Sequence, residues 1–400
     1  MNESTLHTLY HRLNALTVFR GIAEEPVLCG LEDLLFAVEQ LDLDAQLGCW
    51  GAFAQAVFEE GGDLSEAIRR IALEDENFYI VGRARGQQMS PAIEEALEAE
   101  LSLLQEISQL TPEVLRTAID YDGFLASWTV SDVDIKAAYH AQIDNIRSTG
   151  YGIFAKYNGF TVSKGQLVPI RSMDTQTLDS LYGYQRERNL VLENTRALVE
   201  GGKACNVLLY GDAGTGKSST IKACARHFFG QGLRIVEFKK DQLDDILPIM
   251  EFLSEIPLKF IFYIDDLSFT ANDDSFCALK GILEGSAASY AGNIAIYATS
   301  NRRHLIKETL EDRSGSDIHE SDTRQELMSL AARFGLTVTF GQPDKSRFVQ
   351  IVSDLAAQYG VGEDPEKLIV KAEAFAIRAG GRSPRVAKQF IELCKAGVLQ

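Results

Sequence analysis

Residues 211–218 read Gly-Asp-Ala-Gly-Thr-Gly-Lys-Ser and match the pattern G-x-x-x-x-G-K-[ST] at every fixed position. The mostly apolar residues 206–210 before this stretch predict a strand, and residues 218–228 predict a helix after it. In that setting the glycines let backbone N–H groups converge on phosphate oxygens, helped by the positive end of the helix. The stretch therefore predicts a phosphate-binding loop at a strand–helix junction.

The polar residues of this loop have different expected tasks. Lys217 is expected to reach the β and γ phosphates of a nucleotide, and Ser218 to ligate a magnesium ion carried with it. The expected ligands are thus ATP and Mg²⁺. The predicted cradle comprises Gly211, Asp212, Ala213, Gly214, Thr215, Gly216, Lys217, Ser218 and Ser219.

Around this loop, short β-branched or aromatic runs alternate with helical stretches, which is typical of a parallel sheet covered by helices on both faces. In such sheets ligands bind at the carboxyl ends of the strands. The predicted strands are 206–210, 233–238, 259–264, 293–298 and 336–340. Helices are predicted after them at about residues 344–359, 365–379 and 384–396.

Two strand ends carry polar residues suited to phosphate chemistry. Asp265 and Asp266 follow the predicted strand 259–264, which is apolar after its first residue, and Asn301 follows the next predicted strand. We expect Asp265 to hold the magnesium ion through its water shell and Asp266 to polarise the attacking water. Asn301 is placed to orient that water.

The residues before the sheet have a different composition. Residues 1–170 hold 11 Lys and Arg against 26 Asp and Glu, a balance of −15, whereas residues 171–400 have a balance of −3. Apolar residues recur at helical spacing, for example at Leu97, Leu101 and Leu104. This predicts an acidic, all-helical domain. Its charge argues against sequence-independent DNA binding, which needs clustered Lys and Arg.

Targeting and metal signals are sparse. The first residues lack a basic segment followed by an apolar one, and apolar runs such as residues 260–264 are too short to cross a bilayer. We therefore expect a soluble, cytoplasmic protein with no membrane partner. The six cysteines show no zinc-binding spacing, so no metal is expected beyond the magnesium of the nucleotide. Asn158-Gly159 suggests the turn of a small hairpin ahead of the sheet.

Taken in order, these elements resemble the AAA+ ATPases over residues 175–400. Leu181, Tyr182 and Gly183 look like the segment that packs on adenine ahead of the phosphate loop in that family. Asn301 looks like its sensor-1 residue. The resemblance implies an α/β P-loop core followed by a helical lid.

Two arginines extend the resemblance. Arg333 looks like the arginine finger, which an adjacent subunit supplies in this family, so a homo-oligomer with ATP at its seams is implied. An ion pair with a local acid is the alternative role for Arg333. Arg385 looks like sensor 2 in the first turn of a lid helix, whose start Ser383 and Pro384 would define.

A narrower resemblance, to a bacterial AAA+-like family known only as a domain of unknown function, rests on residues 264–269, 298–305 and 329–336. It departs from most AAA+ proteins at Asp266, where a glutamate is usual. The expected organisation is an acidic helical domain at 1–170, an α/β core at 171–341 and a helical lid at 342–400.

The function expected from these elements is ATP hydrolysis by an oligomer that remodels or regulates a protein partner. The alternatives are a slow-turnover switch or scaffold, suggested by the shorter Asp266, and a DNA-associated AAA+ ATPase. A metabolite kinase is disfavoured because nothing predicts an acceptor-substrate site. Arg302, Arg303 and His304 suit either a neighbouring subunit, a nucleic acid or a plain solvated turn.

Overall fold

The structure, a computed structural model, describes residues 3–173, 176–267, 274–283, 292–301, 332–362 and 364–399. The chain divides into two compact units between Lys156 and Tyr157. The division comes before the boundary expected at residue 170, because a strand at residues 159–163 pairs with the sheet of the second unit. Within the described residues, no helix is long and apolar enough to cross a membrane.

The first unit is built from helices, as its apolar spacing predicts. Asp42, Asp63 and Asp134 accept hydrogen bonds from first-turn N–H groups and so fix three helix starts. Pro91 and Pro112 begin two others, in the first turn, where a missing N–H costs nothing. The helices are α1 (Glu3–Asn14), α2 (Pro26–Gln40), α3 (Leu43–Glu59), α4 (Leu64–Glu74), α5 (Phe78–Ala84), α6 (Pro91–Ser108), α7 (Pro112–Arg116), α8 (Ile135–Asp144), α9 (Ile146–Thr149) and α10 (Ile153–Lys156), with a 3-10 turn at Arg20–Glu24.

A buried carboxylate ties the loop after α1 to the middle of α6. Glu100 is only 8% exposed. Its Oε1 accepts hydrogen bonds from the backbone N–H groups of Thr17 and Val18 and from the Thr17 hydroxyl, and its Oε2 accepts one from the Phe19 N–H, at 2.6–3.2 Å. Since buried backbone donors must be paired, Glu100 determines the path of this loop.

Replacing Glu100 with alanine should therefore destabilise the first unit by about 3 kcal/mol, because the buried N–H groups of Val18 and Phe19 would lose their acceptor. The two tryptophans of the chain, Trp50 and Trp128, both lie in this unit, so tryptophan fluorescence during urea unfolding reports on it alone. Glu95→Ala, at an exposed position of the same helix, is the matched control. If the two variants unfolded at the same urea concentration, the stabilising role of Glu100 would be contradicted.

The second unit contains the sheet and the lid, and every strand and lid helix predicted in it is present. Its elements are β1 (Gly159–Ser163), β2 (Gln166–Pro169), α11 (Gln185–Val199), β3 (Val207–Gly211), α12 (Lys217–His227), β4 (Leu233–Phe238), α13 (Ile246–Ser254), β5 (Lys259–Ile264), α14 (Asp274–Leu283), β6 (Ile294–Ser300), β7 (Leu336–Phe340), α15 (Lys345–Tyr359), α16 (Pro365–Arg378) and α17 (Pro384–Lys395). Further 3-10 turns lie at Leu178–Ser180, Phe229–Gln231 and Lys240–Asp245.

The strands form one sheet in the order β2-β1-β4-β5-β6-β3-β7, parallel except for the β1–β2 hairpin. The hairpin turns at Lys164 and Gly165, which both have positive φ, and not at Asn158-Gly159 as expected. That prediction was wrong because Gly159 is the first residue of β1 itself. In the sheet, β5, β6 and β3 are neighbours, so their carboxyl ends lie side by side.

Two apolar clusters hold this unit together. One joins the inner strands to α11 and α12 through residues such as Val191, Ile221 and Ile261, all fully buried. The other joins the three lid helices through Phe348, Ala387 and others. The lid thus has its own core.

Candidate nucleotide site

The loop between β3 and α12 has a backbone that requires glycine. Gly211, Gly214 and Gly216 have φ values of 137°, 75° and 93°, which side chains disfavour. A side chain at Gly211 would also lie 2.1 Å from the Phe340 carbonyl oxygen, on the neighbouring strand β7. The spacing of the glycines in the motif therefore follows from the path of the loop.

Lys217 is enclosed by this loop. Its side chain is buried, and Nζ donates hydrogen bonds to the carbonyl oxygens of Gly211, at 3.0 Å, and Asp212, at 2.7 Å. Burial lowers the pKa of Lys217, an effect that Asp212, Asp265 and Asp266 oppose. The ammonium group is thus held at the mouth of the loop, close to three carboxylates.

Asp265 follows β5 and meets the start of α12. Its Oδ1 accepts hydrogen bonds from the Ser218 hydroxyl at 2.8 Å and from the Thr299 hydroxyl at 2.6 Å. Burial by itself would raise the pKa of Asp265, but the hydroxyls of Thr299, Tyr263 and Ser218 and the charge of Lys222 outweigh this effect and hold the pKa below its usual value. Asp265 is therefore ionised at neutral pH.

Asp266 is held in a rare conformation. Its φ is +50°, in the left-handed region. Its backbone N–H donates to the Thr299 hydroxyl at 2.9 Å, and its Oδ1 accepts from Asn301 Nδ2 at 2.7 Å. The ends of β5 and β6 are thus joined by side chains, and Asp266 and Asn301 are brought together as the sequence suggested.

The oxygen atoms at this edge suit a magnesium ion. The Ser218 hydroxyl and the ionised Asp265 carboxylate are hard oxygen ligands, and only 2.8 Å separates them. They lie at the start of α12, next to the loop that would hold phosphates. The residues therefore fit a nucleotide-borne magnesium ion.

A cavity of about 430 Å³ lies between the phosphate loop, the segment before α11 and the lid. Leu181, Tyr182 and Gly183 line it, and so does Arg385. Gly183 has a φ of 72°, and a side chain there would lie 2.8 Å from Ile351 of the lid. The segment expected to contact adenine therefore stands against a cavity of the right kind for a base and ribose.

The lid rests directly on the phosphate loop. The backbone N–H of Arg385 donates to the Gly214 carbonyl at 3.2 Å, and Ser383 caps α17 by accepting from the Val386 N–H. Just before the lid begins, the Gly341 carbonyl accepts a hydrogen bond from the Tyr184 hydroxyl at 2.5 Å. A nucleotide in the cavity would contact core and lid together.

Arg333 lies apart from this site. It precedes β7, whose first residue, Leu336, pairs with Val207 at the start of β3. The phosphate loop follows the opposite end of β3, so the strand lies between Arg333 and the loop of its own chain. The expected position of Arg302, Arg303 and His304 lies outside the described residues.

Two residues of the site, Thr299 and Arg188, were not assigned a role from the sequence, and Asp212 of the predicted cradle makes a contact with the lid that was not foreseen. Thr299 is buried and links Asp265 to Asp266, although its only signal was its place at a strand end. Asp212 accepts a hydrogen bond from the Gln342 N–H, at the start of the lid. Arg188 is buried and donates to the Leu181 carbonyl, which steadies the segment beside the cavity.

Thr299→Val should weaken the magnesium-dependent part of ATP binding about tenfold, since one hydrogen bond to a charged group is lost and the pKa of Asp265 rises. Binding without magnesium should be unchanged. Calorimetric titration with an ATP analogue, with and without Mg²⁺, measures both. Thr337→Val, at an exposed position of β7, is the control. If ATP binding depended on magnesium to the same extent in both variants, the role of Thr299 in supporting Asp265 would be contradicted.

The second unit combines a phosphate loop, acidic and amide side chains on neighbouring strand ends, and a helical lid over the cavity. This combination defines an ATP-binding P-loop protein of the AAA+ class. The chain belongs to the family described as "Protein of unknown function (DUF815)", whose profile matches residues 154–398. The family membership expected from the sequence is thereby confirmed.

Relatives outside this family match shorter parts. A segment of 83 residues, 21% of this chain, is 36% identical to replication factor C subunit 3 of Saccharomyces cerevisiae. The match spans 23% of that protein.

Solved structures with similarity include the Holliday junction branch migration motor RuvB of Thermotoga maritima, at 16% identity and a TM-score of 0.36, over 54% of this chain and 63% of RuvB. AMPPCP-bound DnaA from Aquifex aeolicus is 15% identical, with a TM-score of 0.40, over 56% of this chain and 67% of DnaA. The chain thus spans less than two thirds of the RuvB chain.

Proposed function

We propose that this protein hydrolyses ATP with magnesium, works as a homo-oligomer, and remodels or regulates a protein partner. The observation that carries the proposal is the hydrogen-bonded chain from Ser218 through Asp265 and Thr299 to Asp266 and Asn301, beside Lys217. In this proposal Ser218 and Asp265 would bind the metal ion, and Asp266 and Asn301 would direct the attacking water, from one edge of the sheet.

The residues divide the chemistry of phosphoryl transfer in this scheme. Lys217 and the loop N–H groups would bind the phosphates, and a magnesium ion on Ser218 and Asp265 would neutralise developing charge. Asp266 would accept a proton from the attacking water, which Asn301 would help to orient. Arg385 reaches the phosphate loop from the lid and would add a positive charge there.

The position of Arg333 supports the oligomer in this proposal. Because Arg333 precedes the amino end of β7, it lies on the far edge of the sheet from its own phosphate loop. If it stabilises the transferring phosphoryl group, it does so in the site of another copy. A head-to-tail assembly, in which each copy supplies an arginine to the next, meets that requirement.

Charge supports a protein as the partner of the first unit. Residues 1–156 hold 10 Lys and Arg against 26 Asp and Glu, a balance of −16. A surface of that sign repels the phosphates of DNA or RNA. The names of RuvB and of the replication factor C subunit favour a DNA-associated ATPase as the second candidate. In that case the nucleic acid would contact the second unit, whose charge is near balance.

A slow switch is the remaining candidate, and Asp266 is the residue that favours it. Aspartate is one methylene shorter than glutamate, and Asn301 already occupies its Oδ1. A carboxylate held in this way reaches less far toward water. In the switch, ATP would be bound and the assembly stabilised, with little hydrolysis.

Turnover and mass, measured on the same samples, separate these candidates. ATP hydrolysis is followed for wild type, for Asp266→Asn, and for Asp144→Asn, an exposed control on α8. Light scattering gives the mass with and without ATP. Hydrolysis lost only in Asp266→Asn, with an ATP-dependent gain in mass, supports the proposal. If wild type hydrolysed ATP no faster than Asp266→Asn, the slow switch would be the remaining candidate. Turnover stimulated by DNA would favour the DNA-associated ATPase.

A further inference from the structure

Two imidazoles and a carboxylate meet on the surface of the first unit, far in sequence from the phosphate loop. We infer that His7 and His11 form a binding site for a divalent transition-metal ion such as Zn²⁺ or Ni²⁺, with Glu39 as the group that orients His7. The Nε2 atoms of the two histidines are 3.2 Å apart, and His7 Nδ1 is 2.5 Å from Glu39 Oε1. One ligand atom from each residue lies within 4.8 Å of the others.

The helices bring these groups together for simple reasons. His7 and His11 are one turn apart on α1, so they share a face. The opposite side of α1 carries Leu6, Leu9 and Leu13, all buried. Because α1 packs against α2, the last turn of α2 places Glu39 beside His7. Both imidazoles are exposed and accessible to an ion.

The distance between the two nitrogens suits a shared metal ion. Zinc–imidazole bonds of about 2.0–2.1 Å in tetrahedral geometry place two ligand nitrogens roughly 3.3 Å apart. The separation of the His7 and His11 Nε2 atoms, 3.2 Å, is close to this value. An ion would therefore need little movement of either ring. Two protein ligands leave the other positions to water or to a side chain from another molecule.

Glu39 supplies the second feature of a metal site. Metal-binding histidines usually donate the N–H of their other ring nitrogen to a carboxylate, which fixes the tautomer and raises the basicity of the ligand atom. With Nδ1–H of His7 donated to Glu39, the lone pair of Nε2 points toward His11. Imidazole nitrogen suits zinc, nickel and copper, unlike the oxygen ligands Ser218 and Asp265, which suit magnesium.

A plain surface ion pair is the rival explanation, and the first unit contains one for comparison. His140 Nε2 lies 2.7 Å from Glu98 Oε1, and both side chains are exposed. Among the described residues, this pair does not form part of a cluster of three potential metal ligands. An exposed ion pair of this kind contributes little to stability. The second imidazole is what distinguishes the α1 site.

Calorimetric titration of the chelator-treated full chain with Ni²⁺, without nucleotide, tests the inference. We expect one ion to bind, with affinity lost in His7→Gln and in His11→Gln and lowered roughly 10- to 100-fold in Glu39→Gln. His140→Gln, the matched control, should bind like wild type. Fluorescence of Trp50 and Trp128 checks that each variant keeps the folded first unit.

The inference would be overturned by no binding to wild type, by wild-type affinity in a folded His11→Gln variant, or by an equal loss in His140→Gln. The cysteines require one further check, since Cys29 and Cys205 are exposed. The visible spectrum of the Co²⁺ complex distinguishes thiolate from imidazole ligands. A spectrum with thiolate-to-metal charge transfer would assign the ion to a cysteine and contradict the site.

Discussion

Lys217→Ala is expected to bind ATP about 10- to 100-fold more weakly than wild type and to lose the proposed turnover, since it removes a charged donor from the phosphates. The side chain is 6% exposed, and its Nζ already faces the carbonyl oxygens of Gly211 and Asp212. Alanine leaves those oxygens without their donor and removes the Lys217 charge that lies near Asp265 and Asp266. Both effects disfavour a polyanion in the loop.

Fluorescence or calorimetric titration with a non-hydrolysable ATP analogue measures this affinity. Lys203→Ala is the matched control, because it removes the same charge from an exposed position shortly before β3. It should bind like wild type. Wild-type affinity in Lys217→Ala would mean that the nucleotide site is elsewhere.

Arg333→Ala should show the opposite pattern, with ATP affinity kept and turnover reduced about a thousandfold or more, as expected of an arginine finger. The reason is geometric, since Arg333 lies at the end of the sheet away from its own phosphate loop and so adds nothing to binding there. Arg333→Lys should remain close to Arg333→Ala, because an ammonium group lacks the planar fork of guanidinium.

Steady-state hydrolysis and analogue binding, measured on the same preparations, give both quantities. Arg196→Ala on α11, which ends a surface ion pair with Glu193, is the control for loss of an arginine. Light scattering with ATP shows whether assembly persists. If Arg333→Ala turned over ATP like wild type, the arginine would have only a surface role, such as the ion pair considered as its alternative.

The sequence predicted the parts of the fold that local patterns determine. Local sequence alone identifies the glycines at 211, 214 and 216 and the predicted strands around them. The lid helices were predicted for the same reason, since Ser383 and Pro384 mark the start of α17. Strand order then brings the ends of β5, β6 and β3 together, so that Asp265 contacts Ser218 and Asn301 contacts Asp266.

Contacts between distant residues were beyond local patterns. Thr299 joins Asp265 to Asp266 only because β6 lies next to β5, and a threonine at a strand end carries no such signal. The hairpin turn was misplaced because Asn-Gly is a stronger turn signal than Lys164-Gly165. His7 and Glu39 are 32 residues apart, so the spacing of His7 and His11 was the only local trace of their cluster.

Subunit mixing tests the central claim, hydrolysis at a seam completed by an arginine from another copy. Asp266→Asn keeps its phosphate loop and Arg333, whereas Arg333→Ala keeps Asp266, so each should be inactive alone. Random mixing at equal amounts places an intact loop against an intact arginine at about a quarter of the seams, in a head-to-tail assembly. We predict that ATP turnover then recovers to about that fraction of wild type. A mixture as inactive as its two components would contradict the claim.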